Sequence, residues 1–139
     1  MNTYISGDLP RERAAYLLTM QDECTRSFAG AWPYARWLKV WHDDELMPLM
    51  VWMNDAYVQQ FGIDPYRYIG HCDRIVWPDE VATEFWKNDR AAIEQPETIL
   101  TVREPTPRGD RPSWLVRKFA FRVPTQKAWG IYGECTPDQ

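Results

Sequence analysis

Residues 50–71, MVWMNDAYVQQFGIDPYRYIGH, run an apolar, strand-like stretch straight into two helices too short to be stable alone. Asn54 can cap the first over residues 55–61, with Tyr57 and Phe61 one turn apart, and Gly62 supplies a left-handed stop. Asp64 followed by Pro65 restarts a helix that Gly70 ends within about two turns. Such a pair either walls a small-molecule pocket or turns a tight corner of a packed core.

The flanking sequence sets the context. ARWLKVW (35–41) reads as a strand, and PLMVWM (48–53) as its hairpin partner across an acidic HDDE turn. Residues 8–28, DLPRERAAYLLTMQDECTRSF, predict a helix with Asp8 as N-cap, Pro10 in the first turn and Gly30 just past the end. Ala14, Leu17, Leu18, Gln21, Cys24, Thr25 and Phe28 share one face of it, a stripe broken by polar residues that suits a partly wet surface. WPDE (77–80) opens a longer helix to about Glu94, stopped by Pro96, with acidic residues complementing the dipole at its start. Val81, Ala82, Phe85 and Ala92 form its apolar stripe, and Asn88 and Asp89 stand inside that stripe.

TILTVRE (98–104), SWLVRKFAFRV (113–123) and AWGIYGECT (128–136) read as three closing strands, the first two separated by an irregular PTPRGDRP loop. Helix, two strands, three helices, three strands is an α+β order: one five-stranded antiparallel sheet with helices on one face and an extra N-terminal helix. In 113–123 Trp114 and Val116 occupy one parity, and Leu115, Phe119, Phe121 and Val123 the other. A sheet half exposed to water should alternate instead, so the second face is expected to be covered, by the N-terminal helix or by a second subunit.

Composition narrows the class. At 139 residues, 45% hydrophobic and 26% charged, the chain supports one globular core. Its eight Trp can build that core or line an aromatic cavity. A net charge of −4 with dispersed basic residues gives no surface for nucleic acid. The longest apolar run, LMPLMVWM (46–53), is too short for a bilayer, and the N-terminus has no signal-peptide pattern. Cys24, Cys72 and Cys135 are odd in number and widely spaced, which reads as reduced thiols in a cytoplasmic protein.

VWMNDAYVQQFG, YIG, WPDEVATEFWKND, SWLVRKFAF and WGIYGECT, in that order over residues 30–136, resemble a PAS domain, the sensory module of bacterial signalling proteins. The resemblance implies a five-stranded antiparallel sheet cupping a small cavity beneath the short helices. It also implies sensing of a small molecule, redox state, oxygen or light, and a flanking N-terminal helix that mediates dimerisation. The family's flavin photosensors carry a reactive Cys three residues after the helix-ending Gly. GHCDR places Asp73 there and Cys72 one position early, so covalent flavin photochemistry is not expected. Residues 77–94 hold no His, so haem is not expected either, and the exit motif reads Glu134-Cys135-Thr136.

Asn88 and Asp89 either orient a ligand or water in the cavity, tie their helix to neighbouring backbone, or meet solvent on a rotated helix. Lys118 is the counter-charge available to Asp89 if its side chain faces inward. Trp52, Tyr57, Phe61, Trp86, Trp114 and Tyr132 complete the expected ligand-binding set as a flat apolar pocket, or else fill the core. His42, His71 and Cys72 do not converge at metal-ligand spacing, so no metal site is expected. No nucleophile motif or phosphate loop is present, so no catalytic residue and no enzyme activity is expected; Asp89 with Tyr57 as acid–base pair is the rival.

The expectation is a stand-alone PAS-like sensor and interaction module. It consists of an N-terminal flanking helix (1–29), a PAS-like domain (30–136) and a tail (137–139). Leu17, Leu18 and Phe28 are its expected homodimer contacts, and a small-molecule ligand and a signalling protein its other partners. The alternative is a docking module with a filled core, and behind it a small lyase or isomerase using Asp89.

Overall fold

In the computed structural model, which describes residues 9–28, 30, 32–105 and 112–138, the chain begins with helix α1 (Arg11–Ser27). Strands β1 (Arg36–His42) and β2 (Leu49–Met53) follow, then helices α2 (Asp55–Phe61), α3 (Pro65–Tyr68) and α4 (Asp79–Glu94). A single 3₁₀ turn, Asp73–Ile75, separates α3 from α4. Strands β3 (Ile99–Pro105), β4 (Ser113–Val123) and β5 (Ala128–Pro137) close one antiparallel sheet in the order β2-β1-β5-β4-β3. This is the α+β arrangement the sequence predicts.

The turn chemistry of residues 50–71 does what its residue types dictate. Asn54 Oδ1 accepts the Tyr57 amide at 3.1 Å, and Gly62 closes α2 with φ of 62°. Asp64 caps α3 through the Tyr66 amide at 3.0 Å, and α3 is a single turn because Gly70 follows at φ 86°. Asn54 does more than cap. It also accepts the Arg36 amide at 3.0 Å and donates to the Tyr34 carbonyl at 2.9 Å, which fastens α2 to the start of β1.

Helix α1 differs at both ends from the expected 8–28. Pro10 precedes it without a side-chain cap, Asp8 lies outside the described residues, and Phe28 rather than Gly30 terminates it. The expected tail is also shorter, because β5 runs to Pro137 and Asp138 is held by Arg103 and by Ser113 Oγ.

Helices pack on both sheet faces. The inner face packs under α2, α3 and α4. On the outer face, Leu17 and Cys24 of α1 meet Leu38, Val40, Val51, Trp52 and Ala128. Arg13 pins α1 to the β1–β2 turn through both Asp44 oxygens, at 2.7 and 2.8 Å. Of the three expected dimer contacts, Leu17 is fully buried within its own chain, Phe28 is half-buried and stacks on Tyr132 at 5.1 Å, and Leu18 is 39% exposed.

Asp64→Ala removes one cap and should lower the unfolding free energy by about 1 kcal/mol. Asn54→Ala removes a cap and two further bonds between elements, and should cost about 2–3 kcal/mol. Denaturant unfolding of the two variants checks the ranking.

Candidate functional site

The inner face of the sheet carries charges where strand alternation calls for apolar side chains. Lys39 on β1, Lys118 on β4 and Glu104 on β3 all point inward and are at most 3% exposed. Asp89 of α4 and Asp73 of the 3₁₀ turn, both fully buried, descend onto them. Lys39 Nζ donates to Asp73 Oδ2 at 2.8 Å and to Asp89 Oδ2 at 2.9 Å. Lys118 Nζ contacts Asp89 Oδ1 and Glu104 Oε2, each at 2.6 Å. The Tyr68 hydroxyl donates to Asp73 Oδ1, and Asn88 Nδ2 donates to Glu104 Oε2 at 3.1 Å. One continuous network therefore joins β1, β3, β4, α3, the 3₁₀ turn and α4.

Isolated charges this deep would be costly, and their pairing sets their titration. Burial alone pushes Asp89 up, but the Lys118 and Lys39 ammoniums outweigh it and hold the carboxyl below its ordinary range. Burial pushes Glu104 up as well, and its single close cation, Lys118, leaves it raised. Lys39 is raised although burial works against its charge, because Asp73 and Asp89 flank it. Held by two ammoniums, Asp89 is a poor proton acceptor.

Beside the network lies a cavity of about 20 Å³. That volume holds a single water. Trp37, Tyr57, Phe61, Trp77, Phe85 and Trp114 wall it, with Lys39 and Glu104 as its charged members. The rings interlock edge to face: Tyr57–Phe61 at 4.9 Å, Phe61–Trp77 at 5.4 Å and Trp77–Phe85 at 5.4 Å. Phe85 also presents its face to both ammoniums, at 5.4 Å from Lys39 and 5.9 Å from Lys118.

Of the residues singled out from sequence, Tyr57, Phe61 and Trp114 line the cavity. Asn88, Asp89 and Lys118 belong to the adjoining network, and the Lys118–Asp89 pair forms as the counter-charge argument predicts. Trp52, Trp86 and Tyr132 lie elsewhere. The β1–β2 pairing slips after Leu38, leaving Val51 without a register partner, so Met50 and Met53 face inward and Trp52 faces α1. Trp86, one residue beyond Phe85 on α4, turns toward Trp41 at 6.4 Å and donates to the Leu46 carbonyl. Tyr132 has the outward parity of β5 and bonds Glu134 at 3.0 Å. Lys39, Glu104 and Tyr68 escaped the sequence reading, and Asp73 entered it only for its place three residues past Gly70. For Lys39 and Glu104 the signal was available, since each shares its parity with inward rings or aliphatics: Trp37 and Trp41, Leu100 and Val102.

A family profile described as the PAS fold matches residues 49–137. The chain belongs to the PAS family. Among solved structures, this PAS domain is similar to a valine-substituted double variant of Vivid, at 15% identity and TM-score 0.48, over 98% of this chain and 99% of that one. It is also similar to the photo-excited blue-light photoreceptor Vivid, at 14% identity and TM-score 0.47, over 95% and 98%. An RNA-binding light-oxygen-voltage receptor matches at 14% identity and TM-score 0.49, and there the chain spans 34% of the partner's length. No curated protein sequence matches it. In this PAS domain Asp73, three residues past Gly70, spends its carboxylate on Lys39 and Tyr68.

Lys118→Met leaves Glu104 and half of Asp89 without a cation in the core. It should cost about 3–5 kcal/mol in chemical denaturation, well beyond the loss of an exposed ion pair.

Proposed function

We propose that this PAS domain acts as a protein-docking and dimerisation module with a filled interior, in which contact with another protein rather than occupancy by a small molecule carries the signal. The observation behind this reading is the cavity of about 20 Å³. A planar cofactor or drug-sized ligand needs a pocket of about 300 Å³ or more. The space beneath the short helices is taken up by indole and phenyl rings and by the five charged side chains of the network.

The surface that supports docking is the outer face of β3 and β4. Ile99, opposite Phe119 in the register, is 65% exposed; Phe119, and Leu115 further along the same face of β4, are only half-buried. Self-association through this strip is the first form of docking to test, and the tie of α1 to the sheet leaves the strip available. In sedimentation experiments the wild type should associate and Ile99→Glu should be monomeric with an unchanged melting temperature. A wild type that stays monomeric at high concentration counts against self-association.

The filled interior has its own test. Flavin mononucleotide, haem and a metabolite library should leave the melting temperature of the wild type unmoved. Trp114→Ala should lose about 3–5 kcal/mol of stability and gain binding of small aromatic compounds such as indole. A compound retained by the wild type in native mass spectrometry would overturn the filled-core reading.

A further inference from the structure

The ion network is not neutral. It contains two ammoniums, Lys39 and Lys118, and three carboxylates, Asp73, Asp89 and Glu104, all in contact and all shielded from water. One negative charge is in excess, in a setting where an uncompensated ion is strongly unfavourable. Neutrality requires one more positive charge.

Hydrogen-bond geometry identifies the group able to accept it. Both Asp89 oxygens face ammonium N–H groups, so a proton added to either would point at a cation. Asp73 is engaged at both oxygens, by Lys39 at Oδ2 and by the Tyr68 hydroxyl at Oδ1. Glu104 differs. Lys118 and Asn88 both address its Oε2, which leaves Oε1 outside those two contacts. Glu104 is also the only carboxylate of the three that borders the cavity.

We infer that Glu104 is a proton-binding site, that Oε1 carries the proton at neutral pH, and that this proton completes the charge balance of the core. The ligand is a single proton taken from solvent, with no other bond made or broken. The groups around it are compatible with that state. Lys118 on β4, Asn88 and Asp89 on α4, and Lys39 on β1 are the polar groups facing it; Asp73 and Tyr68 stand behind Lys39, and Tyr57 lies across the cavity. Cys135 of β5, the remaining titratable side chain in the cavity wall, stays a neutral thiol, since burial pushes it up to about 11. The raised position of Glu104 agrees in direction. The inference does not depend on the docking reading, because it concerns the charge state of the core whatever the surface binds.

The pH dependence follows in sign. A carboxyl raised on folding stabilises the native state fully below its unfolded pKa, and this contribution is lost as pH rises through the folded value. Relative to Glu104→Gln, an isostere of the protonated acid, the wild type's unfolding constant should therefore grow about tenfold per pH unit between those two values, then level off. Glu104→Gln should fold, and should match or exceed the wild type at about pH 8. Parallel pH profiles for the two proteins, or a variant uniformly weaker by the amount expected for a lost ion pair, would overturn the inference. If the variant does not fold, the carboxyl ¹³C shift of Glu104 in the wild type decides: the protonated position at neutral pH supports the inference and the ionised position overturns it. Stability of the wild type that climbs with ammonium or potassium over sodium at equal ionic strength, and does not in Glu104→Gln, would assign the missing charge to a metal or ammonium ion and overturn the proton.

Discussion

Everything on the inner side of this molecule depends on two lysines buried among three carboxylates. A PAS sheet could have offered an apolar floor to its helices; here Lys39 and Lys118 rise from that floor and must be met. Asp89 meets both, which fixes the rotation of α4 over the sheet, and Asp73 meets one, which fixes the 3₁₀ turn and, through Tyr68, α3. Shape selects among the many ways of laying helices on a sheet, and here charge selects as well. Misplacing any of these elements strands an ion in a medium that cannot solvate it.

The network and the rings together explain why the interior holds so little space. Lys39 shares the cavity wall with Trp37, Phe85 and Trp114, and the Lys39 and Lys118 ammoniums rest against the Phe85 face, so polar heads and aromatic walls interleave. The outer face follows the opposite logic. There α1 lies on aliphatic and aromatic side chains and is oriented at one end by Arg13 on Asp44. The two faces of one sheet thus differ: the inner one combines an ion network with an aromatic core, and the outer one rests on hydrophobic contact.

The legible part of this structure was the part governed by local chemistry. Asn54, Gly62, Asp64 and Gly70 announce their roles because caps and left-handed stops depend on a handful of neighbouring residues. The Lys118–Asp89 pair was readable because Asp89 interrupts an apolar stripe and so demands a cation. Trp52 was misplaced because a bulge leaves no mark on the sequence that distinguishes it from regular alternation. Lys39 and Glu104 were passed over because a charge in a strand is ordinarily read as facing water, and only tertiary placement reveals the partner across the core. Asp73 was noticed for the cysteine it replaces, whereas its role lies in the lysine it reaches.

Gly133 and Gly130 lie in β5, the central strand, and each yields its side-chain volume to a ring from a neighbouring strand: Trp37 over Gly133 on the inner face, Phe121 over Gly130 on the outer. An alanine at either position would collide with that ring. A sheet is usually upholstered on both sides, so that what touches one face is padded from the other. At Gly133 the padding is gone and the indole of Trp37 leans on bare main chain. The adjacent residue is Tyr132, whose ring supports Phe28 at the end of α1. Cavity and outer helix are thus joined through one ring, one peptide and one more pair of rings, with no aliphatic layer along that line.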